Sequence, residues 1–476
     1  MPRDNILLIT TDQQRFDTIN ALGNQSIFTP HLNYLVASGI TFTRCYADCP
    51  ICVPSRTTIM TGRRGFESGV VSNDTHEAVM TADSQARTTL PAILTDAGYQ
   101  TKAMGKMHFT PARAHYGFEE MTLPLDYMRQ YDKQPYGARP KVHGAGECEA
   151  DPVLSTVDTK DSITQWITDG AIDFIETRDP QRPFFMWTSY TKPHPPFDPC
   201  RDFWELYDKI PMPEAVHGDW SQTVEGTPQG MMEGCYENTN THFFGPEQRA
   251  ASRRAYYAMI SQVDYSLGRL FGCLRENGLF QNTWIIFTAD HGEMLGDHFM
   301  SQKNVFFEGS AHVPLIIVPP QGRFANTNSR VDVTAEIADI YPTILAMAGI
   351  KAPEFVQGRN LLKETGERVF FGNSLNKHFC VMEDKWKLVL CTTGGDVLLF
   401  NLNEDPMEQH NLANDPACAE KKEHLWKLLL EHTEKYTPQV LKDGEFIIKP
   451  APTCYQDIKN HWFGFHYHDY SIDTFH

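Results

Sequence analysis

Asn5-Ile-Leu-Leu-Ile-Thr-Thr-Asp12-Gln13-Gln14-Arg15 opens with an apolar run that breaks abruptly into polar residues. It reads as a buried strand over 5–11 that presents Asp12 and Gln13 at its C-terminal edge. A matching phrase lies far downstream, where Thr283-Trp-Ile-Ile-Phe-Thr288 is followed by Ala289-Asp290-His291-Gly292-Glu293. Between the two, Phe184-Phe-Met-Trp-Thr-Ser-Tyr190 repeats the pattern and leads into Lys192-Pro193-His194-Pro195-Pro196, whose prolines force a non-helical loop. Separate apolar strands thus deliver polar side chains to one edge, and in open α/β sheets that edge is where ligands bind.

Helical periodicity falls at 90–97, 162–177, 249–277 and 333–348. Strands alternating with helices predict an α/β fold in which a large, mainly parallel sheet is sandwiched by helices, here assigned to residues 1–358. Residues 218–245, rich in Gly, Thr, Asn and Gln, read as a surface insertion; such insertions often shape a pocket, and a solvated loop is the favoured reading. After Gly358 come short alternating runs at 369–371, 386–390 and 397–400, then a helix near 424–436. They predict a smaller C-terminal antiparallel sheet plus helix, in a subdomain 359–476. The aromatic, histidine-rich tail 461–476 caps the main domain or bridges subunits into an oligomer, and the sequence leaves both open.

A 476-residue chain with 41% hydrophobic and 21% charged residues is of ordinary globular composition. Its net charge of -18 argues against nucleic-acid binding, so an anionic substrate must be captured by local cations. No stretch approaches the roughly 18 to 20 apolar residues that span a bilayer. Met1-Pro2-Arg3-Asp4 runs straight into Ile6-Leu7-Leu8-Ile9, too short for the apolar core of a secretory signal. Eleven cysteines, an odd number, fit reduced thiols. The expectation is a cytoplasmic protein, with a trimmed export signal as the alternative.

Cys52-Val-Pro-Ser-Arg56, followed by Thr61-Gly62-Arg63, carries the most chemistry. Pro54 suits a first helical turn and the helix should end near Gly62, so a group at position 52 faces a helix N-terminus, where unpaired amides favour an anion. Cys49-Pro-Ile-Cys52 also reads as a CxxC pair for redox or zinc chemistry, but no second CxxC exists to complete a zinc site. The strand-end acids suit a hard divalent cation. Each alone is more often a cap, and their recurrence in two matching contexts favours metal. Lys106 and His108 in Gly105-Lys-Met-His108, His194 in its proline loop, and Lys303, twelve residues after His291, are each weak signals singly.

Together these motifs, with Asp405-Pro-Met-Glu-Gln-His-Asn-Leu412 near the end, resemble the formylglycine-dependent sulfatases of the alkaline phosphatase superfamily. The resemblance implies an alkaline-phosphatase-like fold and oxidation of Cys52 to formylglycine by a generating enzyme, after which its hydrate attacks sulfur. It implies a cation, calcium first and manganese or magnesium as alternatives, held by Asp12, Gln13, Cys52, Asp290 and His291. Many sulfatases carry aspartate where this chain has Gln13 and asparagine where it has His291, which leaves fewer negative charges here. It further implies that Arg56 activates the hydrate, Lys106 and Lys303 bind sulfate, His194 protonates the departing alcohol, His108 assists elimination and Asn73 lines the sulfate pocket. His76, Arg113, His298 and Glu308 are further candidates for which structural roles are favoured. The expected substrate is a sulfated sugar, attacked exo-fashion at a glycosaminoglycan-type hexosamine or uronate. Rival readings are a phosphonate monoester or phosphodiester hydrolase, an inactive sulfated-glycan-binding homologue, and a CxxC redox protein.

Overall fold

The computed structural model describes residues 3–131, 150–239, 241–322 and 327–451. Eight strands form the main sheet: β1 (Asn5–Asp12), β2 (Ile40–Tyr46), β3 (Gln100–Gly105), β4 (Glu120–Thr122), β5 (Phe184–Pro193), β6 (Thr283–Ala289), β7 (His312–Val318) and β8 (Ser329–Glu336). Their order is β4-β3-β5-β1-β6-β7-β2-β8, and only β7 runs against its neighbours. β1 is central and wholly buried because both its faces are apolar. Ile6 and Leu8 join the core beneath the helices Cys52–Thr61, Leu90–Asp96 and Ile340–Met347. Leu7 and Ile9 face the opposite core, under Pro30–Ser38, Ile163–Thr177 and Pro246–Glu276. The mainly parallel sheet sandwiched by helices is therefore present.

A second sheet of four antiparallel strands follows: β9 (Phe370–Ser374), β10 (His378–Glu383), β11 (Trp386–Cys391) and β12 (Asp396–Asn401). Period-two alternation gives it two apolar faces. Phe379 and Val381 pack beneath the helix Ala419–Tyr436 through Leu425 and Leu429. Cys380 and Met382 turn the other way, onto Phe306 and Phe307 of the main body.

Two expectations need correcting. The helix read over 333–348 starts later, because Ser329–Glu336 is strand β8, paired parallel to β2, and the helix spans only Ile340–Met347. Val331 and Val333 alternate with exposed Arg330 and Asp332, the period of an edge strand. Residues 218–245 are not a loose surface insertion either. They include the helix Gln229–Asn238, and Trp220, Met231, Met232 and Cys235 are packed into the cluster between the two sheets. Methionines spaced among glycines and asparagines carry too little periodicity to announce this. The tail 461–476 lies outside the described residues. Among the described residues no helix is long and apolar enough to cross a membrane, and every cysteine is a free thiol.

Candidate active site

Adjacent parallel strands build the floor. Thr11 of β1 pairs with Ala289 of β6, so Asp12 and Asp290 leave the sheet side by side. Gln13 then takes a left-handed turn at φ 72°, and its backbone N–H donates to Asp290 Oδ1 at 3.0 Å. The His291 N–H donates to the same oxygen at 2.9 Å. On the other side, β3 ends at Gly105, whose φ of 99° and close approach to β5 leave no room for a side chain, since a Cβ would lie 2.0 Å from the Ser189 carbonyl oxygen. This approach lets the Lys106 N–H donate to that oxygen at 2.9 Å.

Cys52 is the first residue of the helix Cys52–Thr61, as the motif predicts. The helix stops at Gly62, with φ 70° and its N–H on the Thr58 carbonyl, in a space where a Cβ would meet the Tyr341 ring. At the other end, Pro54 has no N–H to satisfy and the Val53 N–H donates to Asn73 Oδ1 at 3.2 Å. Asn73 is exposed and acts here as a cap on the helix that carries Cys52.

Asp12, Cys52, Asp290 and His291 converge, each offering one donor atom, with all of these atoms within 4.8 Å of one another and all four residues buried. Cys52 Sγ is 3.1 Å from His291 Nε2 and 3.8 Å from Asp12 Oδ1. His291 Nδ1 sits 2.9 Å from the Gly292 carbonyl, which can only accept, so in the neutral ring Nε2 turns its lone pair into the cluster. This donor set fits a divalent cation. Gln13 is placed differently, because its Oε1 accepts from Lys303 Nζ at 2.6 Å and its amide nitrogen bonds Glu293. It would serve a cation only through the oxygen it shares with Lys303.

Arg56 is fully buried beneath the cluster. Its Nε and Nη2 reach Asp290 Oδ2 at 2.9 and 2.8 Å, Nη2 lies 3.5 Å from Asp12 Oδ2, and Nη1 donates to Ser189 Oγ at 2.8 Å and to the Lys106 carbonyl at 2.5 Å. Lys106 Nζ is 2.6 Å from Asp12 Oδ2. Burial alone would push the Asp12 carboxyl up, but Lys106, His194, Arg56 and His291 outweigh it and hold the group well below the usual carboxylate range. Burial and Asp12 likewise oppose ionisation of Cys52, yet Lys303, Lys106 and His291 bring its thiol below the ordinary value. Burial also disfavours protonation of His291, but Asp290 and Cys52 raise its pKa. The floor thus sets the carboxylates of Asp12 and Asp290 against the cations of Arg56 and Lys106.

His194 and Lys303 stand nearer the mouth, with Nε2 and Nζ 3.3 Å apart. Burial, Lys106 and Lys303 hold His194 well below its usual pKa. His108 is partly exposed, its Nδ1 has no hydrogen-bond partner among the described residues, and burial with Lys106 and Arg56 depresses its pKa strongly.

The four further candidates lie in structural networks. His76 bridges the Asn73 carbonyl and the Thr110 N–H, Arg113 pairs with Asp126 at the surface, His298 bonds Ser221 and stacks on Trp220, and Glu308 meets His312 and Lys387. Two residues given no role by sequence reasoning prove central. Ser189 receives both Arg56 and Thr10. Glu293, buried beside the floor, receives Gln13 and the Leu295 and Gln302 N–H groups. Glu293 stands in the same strand-end phrase as Asp290, which is the one signal that could have marked it.

The sulfatase family profile matches residues 4–350, and a second profile, N-sulphoglucosamine sulphohydrolase, C-terminal, matches residues 296–435. An arylsulfatase of Clostridium perfringens is 29% identical over 492 positions, spanning 94% of this chain and 98% of that one. An N-acetylglucosamine-6-O-sulfatase of Bacteroides thetaiotaomicron is 24% identical, over 91% of this chain and 87% of that one. Among solved structures, the phosphonate monoester hydrolase of Agrobacterium radiobacter superposes with a TM-score of 0.74 at 25% identity, covering 91% of this chain and 96% of that one. With the fold, the buried donor cluster and the profile match over most of its length in agreement, the chain belongs to the sulfatase family of the alkaline phosphatase superfamily and is a sulfuric ester hydrolase.

Proposed function

We propose that this sulfatase removes sulfate from sulfated sugars, exo-fashion from hexosamine or uronate units, with a formylglycine made from Cys52 and a divalent cation, calcium, as its cofactors. The observation that carries the reading is the convergence of Asp12, Cys52, Asp290 and His291 at a helix N-terminus within reach of Lys106. Asp12, Asp290, His291 and position 52 would hold the cation, with Gln13 able to share its amide oxygen. An oxygen at position 52 suits a hard cation better than a thiol does. When present, the formylglycine supplies a hydrated aldehyde as nucleophile and the cation supplies Lewis acidity toward the sulfate oxygens.

The chain's own residues do the rest. Lys106 and Lys303 counter the charge of the bound sulfate and orient it over the helix N-terminus. Arg56 holds the Asp12 and Asp290 carboxylates in place and helps keep Asp12 ionised. His194 is the proton donor: its Nε2, 3.3 Å from Lys303 Nζ, takes a proton from that ammonium and offers it as an acidic N–H to the departing oxygen. A bound sulfate ester offsets the two lysines that depress His194 and so returns proton affinity to the ring. His108, on the segment after β3 and within electrostatic reach of Lys106 and Arg56, serves as the base for the step that regenerates the site.

The relative from Bacteroides thetaiotaomicron supports the sugar, since its name specifies a sulfated hexosamine. A phosphonate monoester or phosphodiester substrate is the second reading, favoured by the similarity to the Agrobacterium hydrolase. Both substrate types are singly charged anions, so charge at the site does not separate them and turnover must.

The test uses protein produced alongside a formylglycine-generating enzyme. The mass of the tryptic peptide from Cys45 to Arg56 should report an aldehyde at position 52, and chelation should abolish hydrolysis of an aryl sulfate until calcium is restored. A panel of monosulfated sugars against a phenylphosphonate monoester should favour sulfate. An intact thiol beside a working maturation control would overturn the reading, as would turnover confined to the phosphonate.

A further inference from the structure

Lys192 lies next to the site without facing it. The segment Lys192-Pro193-His194-Pro195-Pro196 has prolines at three of its five positions, so most of its peptide units carry a carbonyl but no N–H to pair with. Lys192 supplies the missing donors from its side chain. Its Nζ donates to the Pro196 carbonyl at 2.8 Å and to the His194 carbonyl at 3.4 Å, and it ion-pairs with Asp198. An ammonium has three N–H groups, and these three acceptors use them all. No donor remains for a substrate, and the ammonium is mostly covered, with 13% of the side chain exposed.

The carbonyls that Lys192 holds flank the one that holds the histidine ring. His194 Nδ1 lies 2.6 Å from the Pro195 carbonyl, which requires Nδ1 to carry the hydrogen and leaves Nε2 toward Lys303 at 3.3 Å. The direction of the Pro195 carbonyl is set by the two peptide units around it. We propose that Lys192, anchored by Asp198, is a positioning residue that sets the tautomer and orientation of His194, and thereby the transfer of a proton to the leaving group. This deepens the function proposed above and rests on its assignment of His194 as the proton donor.

A proton donor matters most when the departing oxygen is basic, which gives a readout that general loosening of the fold does not produce. The probes are a series of substituted aryl sulfates, from 4-nitrophenyl sulfate, whose leaving group departs readily as the anion, to 4-methoxyphenyl sulfate, whose leaving group needs the proton. The proteins are matured, calcium-loaded wild type, Lys192→Met, Asp198→Asn, His194→Ala and the double variant Lys192→Met/His194→Ala, each normalised to its aldehyde content at position 52. Lys192→Met should cut kcat/KM about 100-fold on the poorest leaving group and only a few-fold on the best, the scale of a general-acid contribution. Asp198→Asn should show the same pattern more weakly, and it keeps the question open to measurement if Lys192→Met folds poorly. The double variant should be no steeper across the series than His194→Ala alone. A uniform loss across the series in both Lys192→Met and Asp198→Asn, or no loss, overturns the positioning role while leaving His194 as the acid. A flat response in His194→Ala itself overturns the acid assignment and this inference with it.

Discussion

At the floor of the cleft, Asp12, Asp290 and Arg56 follow directly on strands and a helix whose backbone bonds fix their positions. At the mouth, His194 and Lys303 sit on connecting segments that side chains tie together, Lys192 in one case and Gln13 in the other. The floor is a closed set of charges in which each member neutralises another. The mouth is more exposed, with Lys303 partly open to solvent where Asp12, Asp290 and Arg56 are fully buried. A reaction centre that must hold an ion and an anion in fixed geometry gains from the first construction, whereas a substrate family that varies in its leaving group is better met by the second.

If that contrast is right, equal chemical changes in the two regions should have unequal consequences for the fold. Arg56→Met removes a buried cation from two buried carboxylates and should destabilise the protein by roughly 3–5 kcal/mol as well as abolish turnover. Denaturant unfolding with far-ultraviolet dichroism measures the first and aryl sulfate hydrolysis the second. Unchanged stability would mean that the floor is not held by its own charge balance.

Lys303→Met is the matching change at the mouth. It loses the Gln13 bond and the His194 contact from a partly exposed position. We expect kcat/KM to fall about 100-fold, since one fixed cation near the developing charge is removed, while the unfolding midpoint stays close to that of the wild type. A destabilisation as large as that of Arg56→Met would erase the distinction between the two regions.

Sequence legibility follows the same division. Asp12, Asp290 and His291 were readable because they end apolar runs, and a run that is buried on both faces, as β1 is, declares its own boundary. Cys52 was readable because the proline and glycine around it delimit a helix. What joins the pieces through space was not. The Asn73 cap on Val53, the Ser189 contact with Arg56 and the packing of Met231 and Met232 between the sheets depend on partners far away in the chain. The last residues of β8, 333–336, read as helix because an edge strand with one half-exposed face presents only a few apolar residues, and these precede a true helix without a break. The roles of the site residues came from resemblance, and the geometry supplies only their proximity.

The smallest expected effect probes the underside of the floor. Asp48 is fully buried just before the Cys52 helix, accepts the Gly65 N–H at 2.6 Å, and receives the Asn373 N–H of β9 on its carbonyl. Burial pushes its carboxyl up to about 7, with Glu336 adding to the shift and the Gly65 bond and Arg64 opposing it. A raised folded-state pKa means that the folded protein keeps a proton which the unfolded chain has already released, so this group's contribution to stability falls as pH rises from the ordinary carboxylate range to about 7, then levels off. Asp48→Asn retains the acceptor and cannot ionise. The difference in Tm, variant minus wild type, should therefore increase by a few degrees between pH 5 and pH 8. Measured at a series of pH values, a difference that stays flat would show that Asp48 titrates as an ordinary carboxylate, and one that decreases would show that its ionised form is stabilised by Arg64 and the Gly65 amide. Because Asp48 links the helix Gly65–Ser68, which follows the helix that carries Cys52, to the second sheet, a rising difference would also locate one pH-sensitive joint of the molecule beneath its floor rather than at its mouth.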